Sequence, residues 1–202
     1  LLLILDNLGV NITGLVAGLG IGGIAVALAV QNILGDLLAS LSIVLDKPFV
    51  IGDFIVVDSL SGTVEHIGLK TTRIRSLSGE QLVFANNDLL KSRIRNYKRM
   101  QERRIVFGFG VVYSTPLEKL TLIKKMVGDI VSGTENARLD RIHFKEYGSS
   151  SLNFEVVYFV ANPDFGLYMD IQEAINLEIF RRFAEEGIEF AYPTQTIYVH
   201  HP

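Results

Sequence analysis

The longest pattern in the chain is a run of apolar and small residues from position 7 to position 35 that contains no charged side chain. About 20 helical residues cross the hydrocarbon core of a bilayer, so this run is long enough to span it. The pattern predicts a spanning helix to about Val30 and, after a polar break, a shorter amphipathic helix along the interface that ends before Pro48. The polar break consists of Gln31, Asn32, Gly35 and Asp36.

Short apolar runs with closely spaced turns follow this helical arm, and they are typical of β-strands. Strands are predicted within residues 48–57, 62–76 and 81–86, with turns at Gly52 and Asp53, at Ser61 and Gly62, and at Ser78 and Gly79. This spacing predicts a small β barrel or sandwich.

From residue 103 onward, predicted strands alternate with predicted helices. One helix follows Thr115, which is expected to be its N-cap, with Pro116 at the first helical position. A second helix is predicted over residues 169–186 and stops at Gly187. With a closing strand over residues 194–201, the order is β-α-β-β-α-β, that of the ferredoxin-like split motif. We therefore predict a membrane segment over residues 1–46, a β domain over 47–102 and an α/β domain over 103–202.

Small residues occupy two faces of the predicted spanning helix, and Ile24 and Leu28 project between them. Small residues let helices approach closely in lipid, so two small faces suit a ring in which each helix touches a neighbour on both sides. In a symmetric ring, Ile24 and Leu28 would form two apolar collars that block ions by dewetting. The first face carries Gly14, Gly18, Gly22, Ala25 and Ala29, and the second carries Gly20, Gly23 and Ala27.

Two other interpretations of these glycines follow from the residues alone. Gly18, Gly20 and Gly23 satisfy the G-x-G-x-x-G spacing of dinucleotide-binding proteins, in which a helix N-terminus holds a pyrophosphate. This interpretation is disfavoured because the following segment is apolar on every face as far as Gln31 and no second βα unit follows. The other interpretation is an ordinary membrane helix whose small residues only mediate packing.

The net charge of -3 conceals a basic block between residues 70 and 104, where Lys and Arg far outnumber acidic residues. A basic block after a span favours the cytoplasmic side of the membrane. It is typical of a solvated surface, and it also fits lipid headgroups or the lining of an ion pathway. An Arg-rich β barrel could instead bind RNA, but Phe84 and Tyr97 are the sole aromatic residues of the block.

Composition argues against an enzyme. Cysteine is absent, which excludes disulfides, thiolate metal sites and a cysteine nucleophile. The histidines show no zinc-ligand spacing and no nucleophilic triad stands out, so we predict no metal, no cofactor and no catalytic residue. Asp36 and Asp46 flank an apolar run and are interpreted as markers of helix edges. Because the chain starts LLLIL without the features of a signal peptide, we expect further membrane helices before Leu1.

Segments from three parts of the chain together resemble the small-conductance mechanosensitive channel family (MscS-like). The first is GIAVALAVQNILGDLLASLSIVLDKPFVIGDFI, and the second is GTVEHIGLKTTRIRSLSGEQLVFANNDLL. The third part contains YGSSSLNFEVVYFV and FAEEGIEFAYPTQTIYV. The resemblance covers essentially the whole chain, and it implies a pore helix, an Sm-like β barrel and a ferredoxin-like C-terminal domain.

The resemblance also implies a function and a location. It implies a homoheptamer in contact with membrane lipids that opens a weakly selective pore under membrane tension and releases ions and small osmolytes. The implied location is the bacterial inner membrane, with the later domains cytoplasmic and no nucleic acid bound. The alternative is a membrane-anchored oligomeric scaffold or a nucleic-acid-binding Sm-like module.

By position, the resemblance assigns roles to residues of the first segment. The two pore collars fall on Ile24 and Leu28, and the kink region falls on Gln31, Asn32 and Gly35. Ser40 stands where family members can have a second flexible glycine. The residues expected to pack neighbouring pore helices are Gly18, Gly20, Gly22, Gly23, Ala25 and Ala27.

Overall fold

The structure, a computed structural model, describes residues 12–195 of the chain. The chain divides into two compact units, with the boundary between Lys98 and Arg99. Unit 1 contains a long helix and a β-sheet, and unit 2 contains a second sheet with two further helices. Each unit has its own cluster of buried apolar side chains. An apolar helix with a β-rich unit, followed by a mixed α/β unit, confirms the predicted fold class.

The first helix, α1, runs from Ile12 to Asp46 without interruption. The structure therefore corrects the predicted division into a spanning helix and a separate interfacial helix. Helical hydrogen bonding continues because the polar break contains no proline, and a glycine inside a helix costs only about 1 kcal/mol. The predicted end before Pro48 is confirmed, since Lys47 adopts a positive φ of 48° and Pro48 has no N–H to continue the helix.

Unit 1 contains five strands and one short helix after α1. The strands form an antiparallel sheet in which the fourth, third, second, first and fifth strands lie side by side in that order. Ile43 of α1 is buried with Phe49, Ile55, Ile74 and Leu89 in one core cluster, so the end of α1 is part of this domain's core. The elements are β1 (Phe54–Val57), β2 (Leu60–Ile67), β3 (Thr71–Ser76), β4 (Gln81–Ala85), α2 (Asn86–Lys91) and β5 (Ile94–Asn96).

The turn predicted at Ser61 and Gly62 is wrong, because both residues lie inside β2. The chain reverses instead at Asp58 and Ser59, where Asp58 adopts a positive φ of 52°. Gly62 is small for another reason, because a Cβ at this position would lie 2.2 Å from the carbonyl oxygen of Arg75 on β3. The glycine marks a close approach of two strands rather than a turn.

The other two predicted turns are confirmed by positive φ values of 91° at Gly52 and 98° at Gly79. The predicted run over residues 62–76 is two strands rather than one. The chain reverses between them at residues 68–70, where the amide of Gly68 donates a 2.9 Å hydrogen bond to the carbonyl of Thr71.

Unit 2 places two helices against a three-stranded antiparallel sheet. Its elements are β6 (Arg103–Val111), α3 (Leu117–Gly133), β7 (Ala137–Tyr147), β8 (Leu152–Val160) and α4 (Phe165–Glu185). The strand order is β6-β8-β7, and Val111, Val127, Val156, Ile175 and Phe183 are fully buried in the core cluster. This is the βαββα part of the predicted ferredoxin-like order. The closing strand predicted over residues 194–201 lies outside the described residues apart from its first two positions.

The helix ends of unit 2 differ in part from the prediction. Helix α3 begins at Leu117 with Pro116 in the cap position and no side-chain cap, so the predicted N-cap role of Thr115 is wrong. Helix α4 begins earlier than predicted because the Asp164 side chain accepts a hydrogen bond from the Leu167 amide at 2.8 Å. The predicted stop at Gly187 is confirmed, since this residue has a positive φ of 59°.

Strand β7 forms one edge of the unit 2 sheet, and it is irregular and highly charged. Its register against β8 shifts between Leu139 and Arg141 and again between Phe144 and Glu146, which marks two bulges. Its charged residues are Arg138, Asp140, Arg141, Lys145 and Glu146.

Candidate functional site

The first half of α1 exposes nearly all of its apolar side chains. Ile24 and Leu28, the predicted gate residues, are 63% and 65% exposed. The segment Val16–Asp46 is long and apolar enough to cross a membrane, and none of its apolar window is buried. A soluble surface rarely exposes so large a contiguous apolar patch, so lipid or other protein must cover it.

Helical geometry divides this exposed segment into distinct faces. Ile24 and Leu28 lie about 40° apart on one face, since successive residues turn by about 100°. Leu19, Val26 and Val30 lie roughly opposite this pair. The faces on either side of the gate are formed by the small residues Gly18, Gly22 and Ala25 and by Gly20, Gly23 and Ala27.

The glycines of α1 are not required by contacts among residues 12–195. A Cβ added at Gly18, Gly20, Gly22 or Gly23 would meet nothing within 4 Å among the described residues. Each glycine nevertheless costs the helix roughly 0.5–1 kcal/mol relative to alanine. Small residues at these positions leave room for the close approach of another helix.

The gate face changes environment along α1. Gly35, Ala39 and Ser42 continue the stripe of Ile24 and Leu28 at helical spacing, whereas Ile43 lies about 80° from the middle of that stripe, in the direction of Ala25. Ala39 is 6% exposed and Ile43 is 1% exposed, because the β domain of unit 1 covers them. The gate face is therefore open in the first half of the helix and only partly covered in the second half, where Gly35 and Ser42 are half-buried and Ala39 is buried.

A hydrogen bond joins α1 to α2 at the point where this change occurs. The Asp36 carboxylate, 6% exposed, accepts a 3.1 Å hydrogen bond from the amide of Asn87 in the first turn of α2. The Ala85 side chain cannot cap α2, so Asp36 supplies an acceptor from 51 positions away in the sequence. A Cβ at Gly35 would lie 3.4 Å from the Asn87 side-chain nitrogen, so glycine leaves room for this contact.

The sequence interpretation missed this junction. Asp36 is a buried capping partner inside a continuous helix, not a marker of a helix edge. The signal was available, because Asp36 is the one charged residue between positions 7 and 45. An isolated carboxylate in an apolar run needs a buried partner.

A second set of hydrogen bonds fixes the turn between β2 and β3 to the start of α2. The fully buried Asn86 side chain accepts from the Thr72 hydroxyl at 2.8 Å and donates to the Gly68 carbonyl at 2.9 Å. The Asn86 amide also donates to the Lys70 carbonyl at 2.9 Å. The turn, α2 and residue 36 of α1 therefore form one hydrogen-bonded corner, which exposes Leu69 and Lys70.

The predicted kink residues lie just before this corner. Gln31 and Asn32 are exposed, and Gly35 is half-buried beside Asn87. Ser40 is buried, and its hydroxyl donates to the Leu37 carbonyl at 3.0 Å. A bend at Gln31, Asn32 or Gly35 stays a prediction.

Two arginines of the basic block are held by partners inside their own units. Arg75 pairs with Glu65 at 2.7 Å, and this hydrogen bond holds the pKa of the Glu65 carboxyl below its usual value. Arg103 lies in unit 2, where its guanidinium stacks over the rings of Phe165 and Tyr168. Over residues 12–195, no group of three or more His, Asp or Glu side chains is arranged to hold a metal ion.

Three sequence models of one family match consecutive parts of the chain. Residues 1–31 match "Mechanosensitive ion channel, transmembrane helices 2/3", and residues 32–99 match "Mechanosensitive ion channel, beta-domain". Residues 105–190 match "Mechanosensitive ion channel MscS, C-terminal". The matched family is one of ion channels rather than enzymes.

Named relatives agree with these matches. The small-conductance mechanosensitive channel MscMJ of Methanocaldococcus jannaschii is 42% identical over 197 residues, which cover 96% of this chain and 56% of the relative. The large-conductance mechanosensitive channel MscMJLR of the same organism is 41% identical, over 98% of this chain and 56% of the relative. The chain thus spans little more than half the length of these relatives.

A solved structure has the same fold. The closed-state crystal structure of Helicobacter pylori MscS superposes with a TM-score of 0.78 and 28% identity, over 100% of this chain and 79% of the other. Together with the three consecutive model matches, this likeness confirms the family suggested by the sequence segments. The chain belongs to the MscS family of mechanosensitive ion channels.

Proposed function

We propose that this chain is the pore-forming part of a subunit of a tension-gated ion channel. The observation that carries the proposal is the pair Ile24 and Leu28, exposed on one face of a membrane-length helix between two faces of small residues. A helix of this kind, repeated around an axis, encloses a path lined by aliphatic side chains. Relatives named as mechanosensitive channels support the same function.

The assembly is a closed ring of identical subunits, which we take to be a heptamer. Each copy presents two different small faces, so the contact between neighbours is heterologous and closes into a ring by rotation. The open space around Gly18, Gly20, Gly22 and Gly23 is where neighbouring helices fit. The larger side chains of Leu19, Val26 and Val30 then face lipid or further helices of the full-length protein.

The gate works by excluding water. In the closed ring, the collars of Ile24 and Leu28 are narrow and apolar, and an ion there loses much of its hydration. Membrane tension favours the state with the larger in-plane area and so shifts the population toward the open ring. The small faces, including Ala25 and Ala27, let the helices slide, and the bend at Gln31, Asn32 and Gly35 changes as they move.

The open pore is weakly selective and releases ions and small solutes. The channel lies in a cell membrane, with lipid around α1 and with the sheet of unit 1 and all of unit 2 in the cytoplasm. A bacterial inner membrane is the setting in which such release relieves osmotic stress.

Patch recording of the full-length protein in defined bilayers tests the proposal. Leu28→Ser places a hydroxyl in the collar, so the closed pore wets more readily, and the tension threshold falls or a leak appears. Leu19→Ser is the matched control, because Leu19 is 71% exposed on the opposite face and should leave the threshold unchanged.

Two results would contradict this proposal. One is the absence of tension-dependent current from the wild-type protein, as expected for a membrane-anchored scaffold or a nucleic-acid-binding module. The other is a dimer by native mass measurement, because two helices cannot enclose a pore of this kind.

A further inference from the structure

We propose that unit 2 of one subunit docks against unit 2 of the next subunit through two aromatic surfaces on opposite flanks of its sheet. The β7 flank is formed by Phe144 and Tyr147, and the α4 flank is formed by Leu177, Phe180 and Phe190. The inference rests on the ring of identical subunits in the proposed function. It adds the surfaces of unit 2 through which neighbouring copies contact each other.

A continuous row of seven aromatic rings connects the two flanks. Phe144 on β7 and Phe109 on β6 both lie opposite Phe154 on the central strand β8, so the row crosses the sheet from one edge to the other. Phe190 lies beyond the second edge, where it pairs with Val111 on the side of β6 that faces away from β8. The middle of the row belongs to the core, and its two ends reach the surface on opposite sides of unit 2. Neighbouring ring centroids are between 4.9 and 6.0 Å apart along the row, which consists of Tyr147, Phe144, Phe154, Phe109, Phe183, Phe190 and Phe180.

The β7 flank is exposed and held in place. Tyr147 is 75% exposed, although its ring packs edge-on against Phe144 with the centroids 4.9 Å apart. The Tyr113 hydroxyl donates a 2.6 Å hydrogen bond to the carbonyl of Gly148, which ties the hairpin after Tyr147 to the segment after β6. Rigid aromatic side chains bury a large area at little cost in conformational freedom, so this exposed pair is suited to a protein contact.

Helix α4 carries apolar side chains on two faces. Ile179 and Phe183 lie in the core of unit 2. Leu177 and Phe180 are 64% and 65% exposed, and they lie three residues apart on the outer face of the helix. The Phe180 ring is stacked on Phe190 at 6.0 Å, and Phe190 is stacked on the buried Phe183 at 5.0 Å. A second apolar face on a helix that already packs on its own core indicates a second partner.

The two flanks carry net charges of opposite sign, which indicates that the partner is a second copy of the same unit. Residues 165–190, which form the α4 flank, carry six carboxylates and two guanidinium groups. Helix α3 and strand β7, which pack together on the other flank, carry six lysine and arginine side chains and four carboxylates. Opposite charges attract across the contact and disfavour the wrong pairing of two identical flanks.

A ring requires two surfaces of this kind. Head-to-tail contacts repeat around an axis when each copy presents two different surfaces that fit each other. The β7 flank and the α4 flank are different surfaces on opposite sides of one unit, whereas a two-fold dimer needs one surface that fits itself. The two small faces of α1 meet the same requirement.

Crosslinking of the full-length protein tests the contact. The 202 residues contain no cysteine, so introduced thiols report the contact. Tyr147→Cys and Phe180→Cys are placed in the same chain, and a short bifunctional maleimide is added to the solubilised channel. We expect a ladder of covalent species larger than a dimer, because each copy is joined to two neighbours. Each single variant should stay monomeric, since the two thiols of one contact come from different positions.

Matched controls use Val106, which is 48% exposed on the face of the unit 2 sheet that points away from the helices. Tyr147→Cys combined with Val106→Cys should give no ladder. In the chain with cysteines at positions 147 and 180, Leu177→Glu should lower the crosslinking yield by about tenfold, because a carboxylate without a partner is then buried in the contact. Val106→Glu should leave this yield unchanged.

The outcomes separate this contact from the proposed function. The docking of the two flanks is wrong, and the channel function stands, if the cysteine pair gives no ladder while tension-dependent current persists. A single-cysteine variant that crosslinks as well as the pair, or a yield that Leu177→Glu leaves unchanged, also overturns the docking. A product no larger than a dimer contradicts both the docking and the ring. A ladder from a protein without tension-dependent current supports the docking and overturns the proposed gating.

Discussion

The two halves of α1 both carry aliphatic side chains but place them in opposite environments. Ile24 and Leu28 are more than half exposed, whereas Ile43, on the side of the second half that packs on the β domain, is 1% exposed. The first half has no covering partner among the described residues, and the second half belongs to the core of the β domain. The comparison teaches that an aliphatic stripe alone does not distinguish a core from a functional surface. The neighbouring elements decide which of the two it becomes.

The strongest test of this difference in environment is the same substitution, isoleucine to alanine, in each half of α1. Ile43→Ala should lower the free energy of unfolding of unit 1 by about 2–5 kcal/mol, because it removes buried methyl groups and leaves a cavity. Ile24→Ala should leave the stability of the β domain unchanged, because this side chain contacts no part of that core. Denaturant unfolding followed by hydrogen exchange of strands β1 to β3 measures both effects. Equal losses of protection would show that the two halves are not separate.

A smaller effect is expected at the junction between the halves. Asp36→Ala removes the acceptor of the Asn87 amide and leaves that donor unpaired, which costs about 1–3 kcal/mol. Asp36→Asn is the control, because its side-chain oxygen can still accept the bond. Hydrogen exchange of the α2 amides should be faster in Asp36→Ala and close to wild type in Asp36→Asn. Unchanged exchange in both variants would mean that α1 and α2 are not coupled through this carboxylate.

The smallest effect is expected for an ion-pair cluster at the solvent-facing surface of α4. Hydrogen bonds from Arg181 and Arg182 lower the pKa of Glu178 on α4 to about 2, from a usual value of 4.5. Because the pKa is depressed in the folded state, this stabilisation is present above pH 4.5 and is lost as the pH falls toward 2.

Glu178→Gln should therefore flatten the dependence of unit 2 stability on pH between about 4.5 and 2. Thermal unfolding at a series of pH values measures this slope. The difference between variant and wild type should be small, since exposed ion pairs contribute little. A slope as steep in Glu178→Gln as in the wild type would assign the acid sensitivity to other carboxylates.

Local patterns predicted the strands and helices well, because side chains on one face recur every two residues in a strand and every 3.6 residues in a helix. The charge-free run predicted the apolar character of α1, and the positions of Pro48 and Gly187 predicted helix ends. Contacts between distant residues were harder to predict. Gly62 was predicted to be a turn residue. A glycine is needed there because the carbonyl oxygen of Arg75 on the neighbouring strand leaves no room for a Cβ, and a local pattern does not show this contact.

The candidate site shows the same division between local and distant information. The stripe of Ile24 and Leu28 follows from helical spacing alone. The partner of Asp36 lies 51 residues away, so no window of sequence contains both groups.

The irregular edge strand β7 has a consequence for any assembly of many copies. When identical chains gather around one axis, their exposed strand edges reach high local concentrations and could add to one another as a growing sheet. The two bulges of β7 and its charged side chains from Arg138 to Glu146 disfavour such edge-to-edge pairing. Strand β7 is therefore a poor edge for pairing between copies of unit 2, whereas β6, the other edge of the sheet, keeps an unbroken register with β8.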